Sequence, residues 1–304
     1  MREIIIAFML SILIPVYNYD INPLVNELNR QAVASQILFE ILVVDDASDS
    51  KYQQLNQGIG ELSTVQYRTL EKNIGRSRIR NSLAELAKYS YLLFMDCDSM
   101  PINEQYIQNY ITRLAPDTLL YGGRVYESDA PKDRKYYFHW YYGTRREATE
   151  AKTRRTRPYD SFMTNNFLIP KRIFQTIRFE EQLTQYGHED TLFGLELKKR
   201  GIEIQHLDNP LIHIGLDSTK AFLNKTIKGV ENLHYLDQRY ELGDAIKLLN
   251  SFKKLRRLRL LWLIKLIYQL SEEQIRKTCY SQKPKLKAFD LFKLYHLIRV
   301  NQQQ

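Results

Sequence analysis

Four short apolar runs punctuate the first third of the chain, and each gives way to polar residues. ILIPV at 12–16, EILVV at 40–44, VQYRTL at 65–70 and YLLFM at 91–95 are too short for core helices. Their β-branched and aromatic content predicts strands. Between them, apolar positions return every three or four residues. Asn22-Pro23 predicts a helix start with a side-chain cap, and Leu24, Val25, Leu28 and Ala32 follow on one face. Ile79, Leu83 and Leu86 mark a helix over 76–88, and another over 103–114 follows Pro101. This alternation predicts an α/β fold, a doubly wound and mostly parallel sheet with flanking helices, over residues 9–122.

The polar residues fall at one end of these strands. The first strand runs into Tyr17-Asn18, the second into Asp45-Asp46, the third into Asn73-Ile74-Gly75-Arg76 and the fourth into Asp96-Cys97-Asp98. Ligands of open α/β sheets bind at that carboxyl edge. Acids gathered there repel one another unless something positive joins them, and a divalent cation is the obvious candidate. Asp96 and Asp98 are two residues apart, so at an extended strand end they face one side and offer two hard oxygen donors. That chemistry suits Mg2+ or Mn2+ held partly by substrate phosphates. An isolated pair of this kind is usually a solvated turn; here its position after a buried strand favours the metal. GxGxxG is missing after the first strand and GxxxxGK[ST] is absent throughout, which disfavours a Rossmann cofactor or a P-loop nucleotide. Phosphate charge would fall to a metal and to Arg76, Arg78 or Arg80. Arg76 and Arg80 share a helix face, which fits an ordinary exposed face equally well.

The second half of the chain offers Gly187-His188-Glu189-Asp190, leading into TLFGLELKKRG. Glu189 and Asp190 fall in the first turn of an amphipathic helix, where acids are favoured by the dipole alone. They are also where a general base could meet an acceptor hydroxyl. His213, in NPLIHIG, becomes a metal ligand only if the fold returns it to the acidic edge.

Composition narrows the class. With 44% hydrophobic and 26% charged residues, neither disorder nor a fibrous repeat is expected. Two cysteines outside any CxxC pair exclude a disulfide framework or zinc ribbon and favour a reducing, cytoplasmic setting. The start of the chain resembles a secretion signal, but it has no small-residue cleavage site and continues into a core strand. Met9 is a plausible true start, with residues 1–8 a mis-called leader. No apolar stretch is long enough to span a bilayer. The net charge of +9 is concentrated late: residues 251–304 carry 13 Lys+Arg against 3 Asp+Glu, while residues 1–250 are close to neutral. Residues 251–270 and the stretch from Leu286 to Val300 mix apolar and basic positions. Such segments fit an anionic inner membrane face, and they fit equally a helical subdomain with a basic outer surface. Residues 127–160 are basic and aromatic, with Lys132, Arg134, Lys135, Trp140, Arg154 and Arg155 among them, and fit an acceptor-side or lid region and a solvated variable insertion equally well.

Taken together, SILIPVYN, ILVVDDASD, NIGRSRIRN, LLFMDCDSM and GHEDTLFGLELKKRG resemble, in order, the motifs of family-2 glycosyltransferases with the GT-A fold, over about residues 9–220. The resemblance implies inverting transfer of a sugar from a nucleotide-diphosphate donor, commonly a UDP-sugar, to an acceptor hydroxyl such as that of a lipid-linked or surface glycan. It implies that Pro15 and Tyr17 line the base pocket and that Asp46 or Asp45 contacts the uracil. Asp96-Cys97-Asp98 looks like the family's DxD: Asp98 would ligate Mn2+ or Mg2+, and Asp96 the ribose or the metal's water shell. His213 matches a further metal ligand, Asp190 the base with Glu189 beside it, and Asn165-Asn166 a polar segment near the sugar. Asn73, Arg76 and Arg80 complete the expected donor side. The implied organisation is a nucleotide-sugar half (9–122), an acceptor and catalytic half (123–245) and a basic helical tail (246–304).

Other classes fit less well. A nucleotidyltransferase would share the acidic metal edge but want a glycine-rich phosphate loop after the first strand. A nucleic-acid-binding protein could use the basic segments, yet acids at the sheet edge would repel phosphate. A non-catalytic membrane scaffold would not need Asp96, Asp98 and Asp190 together.

Overall fold

A computed structural model describes residues 9–183, 187–240, 242 and 246–302. The expectation for residues 1–8 lies outside the described residues. The strands are β1 (Met9–Val16), β2 (Leu38–Asp45), β3 (Val65–Thr69), β4 (Tyr91–Met95), β5 (Ser99–Pro101), β6 (Thr118–Tyr121), β7 (Arg124–Val125), β8 (Asn166–Pro170), β9 (Glu203–His206) and β10 (Leu211–His213). The helices are α1 (Asn22–Ala34), α2 (Ser50–Asn56), α3 (Arg76–Leu86), α4 (Tyr106–Ile111), α5 (Tyr137–Arg146), α6 (Ala151–Arg154), α7 (Lys171–Ile177), α8 (Glu189–Lys199), α9 (Thr219–Arg239), α10 (Lys247–Arg257), α11 (Leu261–Cys279) and α12 (Leu286–Asn301). The described residues form two compact units: 9–125, 148–183 and 189–215 make the first, and 126–147, 187–188, 216–240, 242 and 246–302 the second.

The first unit is built on a seven-stranded sheet in the order β3-β2-β1-β4-β8-β6-β9. The expected strands β1 to β4 are parallel neighbours, and β8 is antiparallel to both β4 and β6. This is the GT-A-type doubly wound architecture. Its strands read as continuous apolar runs because both faces are covered. Ile12 and Ile14 of β1, Ile41 and Val43 of β2 and Leu93 of β4 pack with Leu24, Val25 and Leu28 of α1. Leu13, Leu42, Val44 and Phe94, one position out of phase, pack instead with Ile79 and Leu83 of α3. Phe94 stacks on Phe167 and Phe174, with ring centroids 4.8 and 5.0 Å away.

Two local expectations are corrected. Asn22 does not cap α1; it is the first helical residue, and Asp20 accepts its N–H at 3.0 Å. The helix expected over 103–114 shortens to Tyr106–Ile111, with an Asn103 side chain turning the chain before it and the Thr112 hydroxyl folding back onto the Gln108 carbonyl after it.

A smaller sheet, β5-β10-β7, sits in the same unit. Its register sets His213 opposite Ser99, and Ile214 N–H donates to the Asp98 carbonyl at 2.9 Å. It also sets Leu211 beside Arg124. Below it Asn166 is fully buried: its Oδ1 accepts from the hydroxyls of Tyr106 and Tyr110, each at 2.7 Å. Its Nδ2 donates to the Gly123 and Asn209 carbonyls at 2.9 and 3.0 Å. Arg154 is a second buried brace, donating to the Gly122 and Leu207 carbonyls, and Arg155 donates to the His206 carbonyl. These two arginines of the 127–160 segment therefore hold the backbone, which corrects their expected acceptor-side or lid role.

The second unit is helical. Phe138 of α5, Leu223 of α9, Tyr268, Ile275 and Cys279 of α11 and Phe289 and Phe292 of α12 form its core. The Ser218 hydroxyl caps α9 by accepting from Ala221 N–H. Replacing the polar brace of the first unit gives a direct check on its weight. Asn166→Leu strands two hydroxyls and two carbonyls in the interior and should cost about 3 kcal/mol or more in urea unfolding, since each unsatisfied buried group costs roughly 1–3 kcal/mol. A loss below about 1 kcal/mol would show that the brace carries little.

Candidate active site

The carboxyl ends of β1, β2 and β4 form the rim of the first unit's sheet, and hydrogen bonds join their loops. Asp46 N–H donates to the Val16 carbonyl at 2.8 Å. The Asp46 carboxylate accepts from Ile74 N–H at 2.6 Å and Gly75 N–H at 3.1 Å, and the exposed Asn73 side chain donates to the Asp46 carbonyl. This fixes the turn into α3, whose preceding residue has a left-handed φ of 83° that Gly75 accepts without strain. Burial raises the Asp46 pKa, although the two N–H bonds oppose that rise. Asp45 is fully buried, its carboxylate accepting from Ser48 N–H at 2.7 Å and the Tyr67 hydroxyl at 2.8 Å. Asp45 thus supports the loop with both carboxylate oxygens engaged. Pro15 is half-buried at the end of β1 and Tyr17 is exposed beyond it.

From this turn α3 carries two arginines to two acids. Arg76 pairs with Glu189 at 2.8 Å. Arg80 is 2% exposed and pairs with Asp96 at 2.6 Å, while its other amine donates to the Arg76 carbonyl. Arg80 is therefore not a surface arginine awaiting phosphate, contrary to expectation. Asp96 also receives Arg124, at 3.4 Å. Asp96 is thus clamped between two guanidinium groups that offset its charge. Arg124 was not singled out in the sequence. The signal that marks it is YGGR, a cation directly after a buried strand and two small residues.

Asp98 has a different nearest partner. Its carboxylate lies 3.4 Å from His213 Nδ1, because the β5–β10 register returns that histidine to the acidic rim. Burial pushes the Asp98 pKa up, but His213 and Arg124 outweigh it and hold the carboxyl below its usual range. Burial and the Asp98 charge push Tyr19 up to about 12 and raise the Cys97 thiol further, so Cys97 stays protonated. A side chain at Gly215 would bring its Cβ within 2.4 Å of Asp98 Oδ2, so glycine lets the backbone pass close to this carboxylate. Among the described residues no group of three or more His, Cys, Asp or Glu is arranged to hold a metal. One carboxylate and one imidazole are a fitting donor set for a divalent ion that completes its shell with phosphate oxygens and water.

Glu189 and Asp190 open α8 as expected. Glu189 is buried against Arg76, whereas Asp190 is half-buried and accepts from Thr191 N–H at 2.7 Å. Burial, with Glu189 adding its charge, raises the Asp190 pKa from 3.8 to about 6. Asn166, expected near the sugar, is instead the buried brace described above, with its amide oxygen and nitrogen both engaged. The structure thus ties Asp46, Arg76, Glu189, Asp190, Arg80 and Asp96 into one chain of contacts and sets Asp98 with His213 beside it.

Comparison with known proteins agrees with this architecture. Residues 11–179 match the model of glycosyl transferase family 2. A chondroitin synthase from Escherichia coli is 24% identical over 248 residues, which are 70% of this chain and 35% of that protein, so the chain spans about a third of the relative's length. The mannosyltransferase PcManGT from Pyrobaculum calidifontis, solved in complex with GDP-Man and Mn2+, has a TM-score of 0.55 at 11% identity, covering 97% of this chain and 87% of that one. S. aureus TarS has a TM-score of 0.49 at 18% identity over 78% of this chain and 41% of that chain. With over half its length matched by one family model on a doubly wound sheet, the chain belongs to glycosyl transferase family 2.

Proposed function

We propose that the chain transfers a sugar, with inversion, from a UDP-sugar to an acceptor hydroxyl on a growing lipid-linked or surface glycan. The observation that carries this reading is the division of labour among the rim acids. Asp96 and Glu189 are neutralised by arginine, while Asp98 sits with a histidine and Asp190 holds a raised pKa. A transferase of this kind needs one acid on the leaving-group side and another on the acceptor side. Asp98 and His213 would hold Mn2+ or Mg2+ together with the donor diphosphate. Such an ion, when bound, supplies Lewis-acid neutralisation of the charge that builds on the departing diphosphate. Pro15, Tyr17 and the turn held by Asp46 would bound the nucleoside. That the curated relative is a chondroitin synthase favours a polysaccharide acceptor.

Asp190 would act as the base. Its carboxylate takes the acceptor's hydroxyl proton as that oxygen bonds to the anomeric carbon. The bond from that carbon to the diphosphate oxygen breaks on the opposite face, and its electrons leave with UDP. A pKa near 6 suits this task, because the group is ionised at neutral pH yet more basic than an ordinary carboxylate. Glu189, the residue before it, is paired with Arg76 at 2.8 Å.

Asp190→Asn should lower transfer, read as UDP release with Mn2+ and an acceptor glycan, by about 10²–10⁴-fold while UDP-sugar binding persists. In the unsubstituted chain kcat/KM should fall as pH drops below about 6. Transfer near the normal rate in the variant would remove Asp190 from the mechanism. Stability should show the matching sign. A carboxyl whose folded pKa lies above its ordinary 3.8 contributes stability below that pH and loses it as pH rises through about 6. Asp190→Asn should therefore gain in Tm, relative to the unsubstituted chain, on going from acidic to neutral buffer; a constant difference would contradict the assigned environment.

A further inference from the structure

The basic tail folds into three helices, and they use their apolar residues differently. In α12, Phe289, Phe292, Leu297 and Ile298 are buried in the second unit, so this stretch is not available to a membrane. In α11 one face is buried through Tyr268, Ile275 and Cys279. The first half of the same helix also exposes a second apolar face. Trp262 is 64% exposed, Leu266 44% and Leu270 80%, at a spacing of four residues that stacks them along one side. Ile267 and, just before the helix, Leu258 are exposed as well.

Charge accompanies this face. Residues 246–270 contain seven Lys or Arg and neither Asp nor Glu. Lys253 is spent on Asp237 at 2.7 Å. Lys254, Arg256, Arg257 and Arg259 are exposed at the end of α10 and in the three-residue turn that leads into α11. The second half of α11 is different: Glu272 pairs with Arg276 and Glu273 with Lys277, as on any solvated helix. The apolar and cationic residues are thus concentrated in one short stretch.

We propose that the exposed face of α11, with the arginines that precede it, docks the chain on an anionic bilayer surface. Trp262, Leu266 and Leu270 would enter the boundary between headgroups and acyl chains, and the long basic side chains would reach the phosphates. No described helix is long and apolar enough to cross a membrane, so the contact is with the surface. A second copy of the chain is a poorer occupant, because a symmetric contact would bring the same positive patch against itself. An anionic leaflet attracts it instead.

The proposal is tested on the full chain with two vesicle compositions, phosphatidylcholine alone and phosphatidylcholine with phosphatidylglycerol. Flotation is expected with the anionic vesicles only, weakening as salt rises. The triple substitution Trp262→Ser, Leu266→Ser and Leu270→Ser should cut partitioning about tenfold or more, since each buried apolar side chain contributes substantially. Its Tm should hold, because these side chains are exposed. Changing Arg256, Arg257 and Arg259 to Gln should weaken anionic binding about fivefold per charge. The chain has two tryptophans, so Trp140→Phe leaves Trp262 as sole reporter, and its emission should shift to the blue on binding. Absence of flotation, or equal flotation of the triple variant, overturns the proposal. So does a dimer that the triple variant dissolves while vesicles remain unbound, which would assign the face to a second copy.

Discussion

The pairing of Arg80 with Asp96 across 2.6 Å is the contact on which the rim depends. Several carboxylates at one sheet edge would repel one another, and a fold that gathers them must supply counter-charge before any substrate arrives. Arg80 and Arg124 do this for Asp96, and Arg76 does it for Glu189. Because Arg80 is almost wholly buried, losing Asp96 would strand its charge, at a cost of about 3–5 kcal/mol. The arginines also fix geometry. Arg80 reaches back to the Arg76 carbonyl, and Arg76 follows the turn that Asp46 pins, so the approach of α3 to α8 is set by polar contacts at its first turn. With those acids neutralised, Asp98 and Asp190 are left in chemically distinct surroundings, one beside an imidazole and the other raised in pKa at a helix start.

Much of the fold was legible because both faces of β1, β2 and β4 are buried. Alternate residues enter two separate cores, so the runs read as unbroken apolar stretches, and four parallel strands follow from pattern alone. What pattern could not give was pairing through space. β8 comes from beyond residue 160 and runs antiparallel between β4 and β6, and nothing in NFLIP states its direction. The site divides in the same way. Asp96, Asp98, Glu189 and Asp190 were visible as acids after apolar runs or at a helix start. That Asp96 is clamped, Asp45 buried and Asn166 a brace depends on partners 16 to more than 50 residues away. Arg124 escaped notice for that reason: its meaning comes from a two-residue strand alongside β10.

The helical unit repeats the lesson with the opposite outcome. Two stretches of similar apolar and basic composition looked alike in the sequence. The second, in α12, fills a core of stacked aromatic rings, where Phe289 and Phe292 lie 5.8 Å apart. The first, in α11, has more apolar positions than its packing neighbours cover, and only the folded arrangement distinguishes surplus from core. Trp262, Leu266 and Leu270 expose apolar surface side by side, and contiguous patches of that kind are uncommon on folds that bind nothing there.

The central claim, that the rim separates acids serving the fold from acids serving the chemistry, is tested most directly by calorimetric titration of UDP into the unsubstituted chain, Asp96→Asn and Asp98→Asn, each with and without Mn2+. The account predicts that Mn2+ strengthens UDP binding to the unsubstituted chain and to Asp96→Asn, whose main loss is in thermal stability, and that Asp98→Asn loses the Mn2+ effect. Undiminished Mn2+-dependent binding in Asp98→Asn, with its loss in a stably folded Asp96→Asn, would contradict it.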